Sequence, residues 1–339
     1  MKGYVMQLQP FSVNDGEGIR TTIFMAGCPL RCKWCSNPEG FDQKPKTAFY
    51  EKLCIGCGLC TTVCHVHNGI NLNDPKQREK CDGCGKCADV CPKNAKKRMV
   101  VEKEVSEIVE EVKKHRLFYM QSGGGITFSG GETTMQREFL NELSETLYDM
   151  GFHLTMETCG YFDFDALKPV LQRMDLIFMD LKHMDSEKHA YFTGVGNEKI
   201  LENIKRLKEL PAEIVIRIPV IKGVNADVEN IAASAEYVHT HLPQAKMELL
   251  PYHKFGFGKY EALGMETPDD TFAAPTEKEM ELMSLDKDEK ILVLERIRYA
   301  DGKPVQLELN KFPESFSFLF SENLNDSSLY EILKKHNII

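Results

Sequence analysis

The sequence predicts an α/β fold: a partial (βα)6 barrel of parallel strands, interrupted by a small cysteine-rich insert and followed by a small α+β C-terminal extension. Three observations predict it. Six apolar, β-branched segments recur with amphipathic stretches between them, eleven of the twelve cysteines lie between Cys28 and Cys91, and a separate hairpin pattern follows residue 286. Alternating strands and helices are typical of parallel βαβ units. Six strands are too few for a full eight-stranded barrel and indicate an open or partial one.

The six predicted strands share short β-branched runs flanked by polar or glycine residues. They are Thr21–Ala26, Ile126–Ser129, His153–Glu157, Leu176–Leu181, Glu213–Val220 and Lys246–Pro251. Apolar residues at helical spacing between them predict amphipathic helices, as in Val105, Ile108, Val109 and Val112. Functional groups in this architecture collect at the C-terminal ends of the strands.

Two stretches break the alternation and predict the domain boundaries. Residues 1–48 and 100–285 are assigned to the barrel, residues 49–99 to the insert, and residues 286–339 to the C-terminal extension. In the extension, Ile291–Tyr299 and Val305–Asn310 flank a turn at Ala300–Lys303 and predict a hairpin. Ser327–Asn337 predicts a short helix.

Composition excludes several classes of function. The 339 residues carry 42 Lys and Arg against 51 Asp and Glu, a net charge of −9, so there is no global positive field for nucleic acid or an anionic membrane. No window reaches the roughly 18 apolar residues of a membrane span, and the residues after Met1 lack the apolar segment of a signal peptide. We therefore expect a cytoplasmic protein. We also expect it to be a monomer.

The first cysteine group is Cys28-x3-Cys32-x2-Cys35, directly after the first predicted strand. Three thiolates can hold three irons of a four-iron cluster and leave the fourth iron open, as catalysis at a metal requires. A zinc site or incidental cysteines are the alternatives for so short a pattern. The position at a strand end favours the catalytic interpretation.

Two further groups each repeat the four-cysteine run of bacterial ferredoxins. They are Cys54-x2-Cys57-x2-Cys60-x3-Cys64 and Cys81-x2-Cys84-x2-Cys87-x3-Cys91-Pro92. In two-cluster ferredoxins the fourth cysteine of each run binds the other cluster. This rule predicts one cluster on Cys54, Cys57, Cys60 and Cys91 and another on Cys81, Cys84, Cys87 and Cys64. Zinc ribbons use CxxC pairs instead. The remaining Cys159 is read as a small buried apolar residue.

The cysteine loop, with Trp34 beside the last ligand, resembles that of the radical S-adenosylmethionine (SAM) superfamily. Four further motifs are similar to those of glycyl-radical-enzyme activating enzymes: Asp15–Arg20, Gly130–Glu132, Asp180–Lys182 and Leu250–His253. The doubled ferredoxin run is typical of the ferredoxin-containing subgroup, related to the pyruvate formate-lyase-activating enzyme. The resemblance covers residue 4 to about 283, most of the chain.

The resemblance implies a radical SAM oxidoreductase that acts anaerobically on a partner protein. SAM would bind the open iron, one electron would cleave its sulfonium, and the 5′-deoxyadenosyl radical would take the α-hydrogen of a glycine in a glycyl radical enzyme. It implies three [4Fe–4S] clusters, SAM, a monovalent cation near SAM, and flavodoxin or ferredoxin as reductant. One alternative is a radical SAM enzyme acting directly on a small molecule or peptide. Another is a regulatory or electron-carrier protein that does not cleave SAM.

Carried over to this chain, the resemblance also implies the residues that contact SAM. Gly130, Gly131 and Glu132 would hold its ammonium, because glycines permit close backbone approach and the carboxylate pairs the charge. A turn without a ligand is the alternative for this loop. Where family members usually have proline after the glutamate, this chain has Thr133.

The other implied SAM contacts lie at further strand ends. Asp180 and Lys182 point the same way by the period of two, with a solvated salt bridge as the alternative. Glu157 would lie near the SAM carboxylate and the cation. The remaining implied contacts are Trp34 and Ser36 near the adenine, and His253, whose alternative is a structural hydrogen bond.

For two regions, the insert and the C-terminal extension, the sequence allows more than one function. The ferredoxin insert is either a relay that carries electrons to the catalytic cluster or a structural or docking module. In the extension, Leu294–Val305 and Ser328–Leu333 resemble part of the effector-binding UTRA domain of GntR-type repressors, without a helix-turn-helix. We expect either a cover for the open edge of the barrel or a remnant. The extension indicates a fusion or a replaced C-terminus at the usual end of the barrel, after about Met283.

Overall fold

A computed structural model describes residues 1–66, 72, 74–269 and 271–276, the backbone of the strands at 291–300 and 303–313, and residue 335. Two compact units divide the chain at Met1–Met283 and Ser284–Ile339. The strands of the first unit are β1 Lys2–Ser12, β2 Arg20–Met25, β3 Lys46–Phe49, β4 Lys96–Glu104, β5 Gly125–Gly130, β6 His153–Thr158, β7 Leu176–Asp180, β8 Glu213–Val220 and β9 Lys246–Pro251.

Helices connect these strands. The α-helices are α1 Leu59–Thr62, α2 Pro75–Arg78, α3 Lys86–Asp89, α4 Val105–Lys113, α5 Arg116–Ser122, α6 Arg137–Asp149, α7 Phe164–Leu171, α8 Ser186–Thr193, α9 Glu198–Arg206, α10 Val228–His241 and α11 Phe257–Leu263. Short 3-10 helices occupy Pro38–Phe41, Glu51–Leu53, Thr133–Gln136 and Leu207–Glu209.

The nine strands form one sheet in the order β3-β4-β1-β2-β5-β6-β7-β8-β9. From β2 to β9 every neighbouring pair is parallel, so the six predicted strands are the six parallel strands of the structure. The α/β fold class with a parallel sheet is thereby confirmed. Parallel register places the C-terminal ends of these strands along one edge, where Met25 pairs with Gly130 and Asp180 pairs with Arg217.

Three antiparallel strands extend the sheet beyond the sequence prediction. Strand β1 pairs with both β2 and β4, and β3 pairs with β4. Strand β3 has four residues, and β4 opens on Lys96, Lys97 and Arg98, so neither shows a clear apolar alternation. Lys96 is nevertheless buried, with its ammonium 5.3 Å from the centre of the Phe49 ring.

The barrel core lies between the parallel strands and the helices that connect them. The four apolar residues that predicted α4 (Val105, Ile108, Val109 and Val112) are all buried in this core. On α9, Ile200 and Ile204 are buried in the same core. Full burial of such a side chain contributes about 1.5–3 kcal/mol, so the amphipathic pattern holds these helices against the sheet.

The cysteine-rich insert leaves the sheet at the end of β3 and returns at the start of β4. Phe49 pairs with Lys96 in that ladder, and the Tyr50 N–H donates to the Ala95 carbonyl at 2.7 Å. Its small apolar core consists of Phe49, Leu72 and Ala95, with three cysteines packed against it, Cys64, Cys81 and Cys91. Both ends of the insert are therefore hydrogen-bonded into the barrel sheet.

The second unit contains an antiparallel pair, β10 Ile291–Ala300 and β11 Lys303–Pro313. Its register runs from Ile291 opposite Pro313 to Ala300 opposite Lys303, as the hairpin pattern predicts. The predicted helix at Ser327–Asn337 lies outside the described residues apart from Lys335.

Candidate active site

The loop that carries Cys28, Cys32 and Cys35 follows β2 at the C-terminal edge of the parallel sheet. It is held on one side by α8, because the Arg31 N–H donates to the Thr193 carbonyl at 2.7 Å and the Lys33 N–H to the Phe192 carbonyl at 3.0 Å. The Cys35 N–H closes a turn on the Cys32 carbonyl at 3.1 Å. The loop is therefore positioned by main-chain bonds, and one more, from the Asn37 N–H to the Cys35 sulfur at 3.4 Å, reaches a thiol.

A helix that sequence reasoning missed fixes the other side of this loop. The Tyr260 hydroxyl of α11 donates to the Cys35 carbonyl at 2.9 Å. The Lys259 ammonium donates to Asn37 Oδ1 and to Glu39 Oε1, both at 2.7 Å. Lys259 and Tyr260 belong to no recognisable sequence motif, so their contacts with the cysteine loop are seen only in the structure.

The three cysteines are half-buried, in an environment that suits metal thiolates. Burial raises the pKa of Cys32 to about 12 and that of Cys35 to about 11, and the neighbouring cysteines add to both shifts. The Cys28 thiol has a lowered pKa because it accepts a hydrogen bond from the Cys159 thiol. Iron binding offsets the cost of ionising buried thiols, because coordination deprotonates a thiol outright. The donor set fits an iron–sulfur cluster with three protein ligands.

The Gly130–Glu132 loop lies directly against the cysteine loop. The Gly131 N–H donates to the Met25 carbonyl at 2.8 Å, and the Glu132 N–H to the Gly27 carbonyl at 2.6 Å. Gly130 has φ +126°, and a Cβ there would lie 2.3 Å from the Met25 carbonyl oxygen. The glycines are required by this close approach of two strand ends.

The Glu132 carboxylate is buried and already bonded to protein donors. Its Oε1 accepts from the Thr134 N–H and hydroxyl at 3.2 and 2.7 Å and from the Thr158 hydroxyl at 2.9 Å. Its Oε2 accepts from the Cys159 N–H at 2.7 Å and keeps capacity for one more donor. Thr133, where family members usually have proline, is buried, and its hydroxyl has no hydrogen-bond partner among the described residues.

Asp180 and Lys182 form an ion pair at the end of β7. The Lys182 ammonium donates to Asp180 Oδ2 at 2.6 Å, and Lys182 is buried. Burial lowers the pKa of Lys182, but Asp180 and the Cys32 thiol raise it more, so the net shift is upward. The lysine of the pair is thus withdrawn from solvent beside the cysteine loop, whereas the Asp180 side chain is 32% exposed.

Glu157 lies in a polar cluster at the end of β6 that sequence reasoning only partly found. It accepts from the Ser129 hydroxyl and, at 2.7 Å, from Arg217 Nη1. Arg217 also donates to Glu248 at 2.9 Å and stacks over the Phe178 ring at 3.3 Å. Burial raises the pKa of Glu157, with Asp15 adding to the shift. Arg217 occupies a period-two position of β8, but a single arginine in a strand gives no signal of such a site.

The remaining predicted SAM contacts are more scattered. Trp34 is buried in a small cluster with Ile221, Val224 and Phe272, and Ser36 is half-buried. His253 is exposed and stacks on Phe255 with ring centres 4.5 Å apart. The loop after β9 nevertheless reaches Ser36, because a Cβ on Gly256 would lie 2.7 Å from its Cα.

The insert brings together cysteines from both ferredoxin runs. One cavity is lined by Cys54, Cys57, Cys60 and Cys91 together with apolar and lysine side chains. Cys87 lies near Cys81 and Cys84 of its own run and near Cys60 of the first run, and burial raises its pKa. The first grouping is the set that the ferredoxin rule predicts, so these donors fit a four-iron cluster.

Comparison with known proteins yields two families. The radical SAM superfamily matches residues 22–235, and the UTRA domain matches residues 271–339, a longer stretch than the tail motifs alone indicate. Members of the radical SAM superfamily bind a [4Fe–4S] cluster and SAM. Among the described residues, no helix has the length and apolarity of a membrane span.

Several characterised relatives are similar over most of their length. A choline trimethylamine-lyase activating enzyme of Oleidesulfovibrio alaskensis is 38% identical over 288 residues, covering 83% of this chain and 93% of its own. A trans-4-hydroxy-L-proline dehydratase activating enzyme of Clostridioides difficile is 40% identical, covering 83% and 94%. A 4-hydroxyphenylacetate decarboxylase activating enzyme of C. difficile is 37% identical, covering 78% and 87%.

Among solved structures, a domain of a pyruvate-formate lyase-activating enzyme from Bacteroides vulgatus is 35% identical, with a TM-score of 0.40, covering 47% of this chain and 90% of that domain. The superfamily match spans more than half of the chain, and the relatives align over nearly their whole length. The chain therefore belongs to the radical SAM superfamily and, within it, to the activating enzymes of glycyl radical enzymes.

Proposed function

We propose that the edge of the sheet formed by the ends of β2, β5, β6 and β7 is the site at which this chain activates a glycyl radical enzyme. The observation that carries the proposal is the convergence of the cysteine loop, the Gly130–Glu132 loop and the Asp180–Lys182 pair at that edge. When bound there, the cluster and SAM supply one-electron cleavage of the sulfonium, giving methionine and a 5′-deoxyadenosyl radical that takes a glycine α-hydrogen.

The chain's own residues hold and orient these groups. Cys28, Cys32 and Cys35 supply three thiolates and leave one iron position open. The Gly130–Gly131 backbone lies at the cysteine loop without intervening side chains, so it can receive the SAM ammonium. Glu132 contributes its negative charge there, while its four protein hydrogen bonds fix the loop.

A second group of side chains would receive the rest of SAM. The buried Lys182, held by Asp180, stands beside the Cys32 thiol and is suited to a carboxylate. Trp34 and Ser36 would line the adenine side, with His253 reaching it from the exposed loop after β9. Glu157 would lie near the SAM carboxylate and a monovalent cation, in the polar cluster it forms with Arg217.

We further propose that residues 49–99 form a two-cluster ferredoxin-like domain, which brings the total to three [4Fe–4S] clusters. The shared cavity of Cys54, Cys57, Cys60 and Cys91 supports the ligand set of the first cluster. Electrons would pass from flavodoxin or ferredoxin through these clusters to the catalytic one. The remaining domain assignment is a barrel at 1–48 and 100–285 and an extension at 286–339.

The partner is a glycyl radical enzyme on another chain, and the working form is a cytoplasmic monomer. Relatives that act with a choline lyase, a hydroxyproline dehydratase and an arylacetate decarboxylase are similarly close, at 38%, 40% and 37% identity. The partner is therefore to be found by testing glycyl radical enzymes encoded with this chain.

The test is anaerobic cleavage of SAM. Reconstituted, dithionite-reduced protein should bind about twelve irons and form 5′-deoxyadenosine, whereas Cys32→Ala should bind about eight and form none. Cys159→Ser, which alters a neighbouring thiol that is not a ligand, should still form product. Absence of 5′-deoxyadenosine from the fully loaded wild-type protein would contradict the proposed function.

A further inference from the structure

The insert shows an asymmetry between its two cysteine runs that spacing does not predict. Cys54 and Cys57 of the first run are exposed, whereas all four cysteines of the second run are half-buried. The two runs are otherwise alike, so their different exposure needs a physical reason.

Apolar side chains surround the exposed cysteines. Leu53, Ile55 and Leu59 are all exposed, and Ile55 and Leu59 line the cavity shared with Cys54 and Cys57. We call these five residues the input face. A contiguous exposed apolar patch around a functional group marks an interaction site, and exposure of the ligands themselves would shorten the path for an electron from outside.

The charges around the input face are positive in an otherwise negative chain. Lys52 is exposed next to Leu53, and the exposed Lys93 lines the same cavity, while Glu51 precedes Lys52 in the chain. The whole chain carries −9. An apolar centre with a basic rim fits a small acidic protein, because such charges steer weak, short-lived encounters of the kind that electron transfer uses.

The second run faces the catalytic loop. One cavity is lined by Cys81, Asp82 and Gly83 of this run, by Arg31 of the loop that carries Cys28, Cys32 and Cys35, and by Phe41 of the 3-10 helix that follows this loop. Helix α1, which lies within the first run and carries Cys60, contacts helix α3, which lies within the second run and carries Cys87. The order in space is therefore input face, first run, second run, catalytic loop.

We propose that electrons enter this protein through the input face, where a small acidic electron-carrier protein docks over the Cys54, Cys57, Cys60 and Cys91 cluster. The inference rests on the proposed function, in which the insert clusters are a relay. Each step moves one electron: with flavodoxin as carrier, the anionic flavin hydroquinone loses one electron and becomes the neutral semiquinone, and that electron reduces one oxidised insert cluster.

The test uses reduced flavodoxin and oxidised three-cluster holoenzyme in a stopped-flow instrument, following formation of the flavin semiquinone. Ile55→Glu places a negative charge at the centre of the input face. Its matched control is Leu117→Glu on α5, because Ile55 and Leu117 are 61% and 63% exposed. We expect the second-order rate constant at low salt to fall about tenfold or more for Ile55→Glu and to stay within about twofold for Leu117→Glu.

A second variant tests the input face without changing the apolar residues next to the cluster ligands. Lys52→Glu leaves the apolar centre intact, and it should both slow the reaction and flatten its dependence on ionic strength. Iron content and EPR of each dithionite-reduced variant verify that its clusters are present. Equal rates for Ile55→Glu and Leu117→Glu in fully loaded proteins would overturn the proposal. Failure of the proposed function is seen separately, as absence of 5′-deoxyadenosine from dithionite-reduced wild type.

Discussion

The two cysteine runs of the insert share one local structure but have opposite surroundings. Gly56 and Gly83 have φ of 69° and 72°, and Gly58 and Gly85 have φ of 76° and 73°. A Cβ on Gly56 or Gly58 would meet nothing within 4 Å among the described residues. A Cβ on Gly83 would lie 2.2 Å from the Pro45 carbonyl oxygen, and one on Gly85 2.4 Å from the Arg98 guanidinium.

The difference teaches that spacing and left-handed glycine turns specify how a run presents its thiols, while the surroundings specify what the run can contact. The first run presents its turns to solvent. The second presents the same turns to β4 and to the segment before β3. Identical motifs are thereby suited to different positions in one electron path.

The largest expected effect is the loss of iron that shows which cluster Cys91 binds. Cys91 belongs to the second run, but it lines the cavity of Cys54, Cys57 and Cys60. Cys91→Ala should therefore remove the cluster that is bound mainly by the first run. We expect the single variants Cys54→Ala and Cys91→Ala, and their double variant, each to lose about four irons per chain. Iron analysis of anaerobically reconstituted protein measures this.

The matched control for that experiment is the double variant Cys54→Ala with Cys64→Ala. It should lose about eight irons, because the two residues are assigned to different clusters. If Cys54→Ala with Cys91→Ala loses eight irons and the control loses four, each run binds its own cluster and the crossed assignment is wrong.

The next effect separates the two runs by packing. Gly83→Ala and Gly56→Ala both place a side chain in the left-handed region, at a cost of about 1–2 kcal/mol. Only at Gly83 does the methyl group also meet backbone, which adds about 1–3 kcal/mol of overpacking. Thermal bleaching of the cluster absorbance should therefore occur at a lower temperature for Gly83→Ala. Equal midpoints would show that the environment of the two runs is energetically the same.

A smaller effect is expected at the clamp that ties the second run to β4. Arg98 donates to both carboxylate oxygens of Asp89, at 2.9 and 2.5 Å, and to the Cys84 carbonyl at 2.6 Å. Arg98→Lys cannot make this forked contact, and since the pair is exposed we expect a fall of only about 1–2 °C in the same midpoint. Lys97→Arg, the neighbouring exposed position, should leave it unchanged.

The smallest expected effect is a shift in the reduction potential of the catalytic cluster, without a change in the insert clusters. The Cys159 thiol lies beside Cys28 of the catalytic loop and, as a donor to it, lowers the pKa of Cys28. Because hydrogen bonds to ligand sulfur raise a cluster's reduction potential, Cys159→Ala should lower that of the catalytic cluster by on the order of 30 mV, about 0.7 kcal/mol for one electron. Cys159→Ser retains a donor and should shift it less. An EPR-monitored redox titration in which the insert clusters move as well would contradict this placement.

Much of the barrel could be predicted because parallel strands buried on both faces are continuous β-branched runs. All six predicted strands are present, with ends shifted by at most one residue, as at Arg20 and Gly130. Strands β1, β3 and β4 escaped prediction because their pairing depends on partners distant in sequence. In β4 a row of basic residues conceals the pattern, although Lys96 is buried against Phe49.

Some residues of the candidate site could likewise be predicted from the sequence, and others could not. The cysteines and the Gly130–Glu132 loop form motifs that sequence alone can recognise, since ligand spacing and close backbone approach restrict the residue types. Arg217, Lys259 and Tyr260 act through long-range contacts, which include those to Glu157, Glu39 and the Cys35 carbonyl. No local pattern encodes such contacts, so they emerge only when the strands and helices are in place.

The pairing of Phe49 with Lys96 has a consequence for how this enzyme could have arisen. The chain leaves the sheet and comes back at a single rung of the β3–β4 ladder, so both ends of a 46-residue excursion meet where a hairpin turn could stand. One insertion event into an ancestral hairpin would have added both ferredoxin runs without disturbing a strand of the barrel. The reverse operation, joining β3 to β4 through an Asn-Gly turn, would give a shorter enzyme dependent on direct reduction of its catalytic cluster.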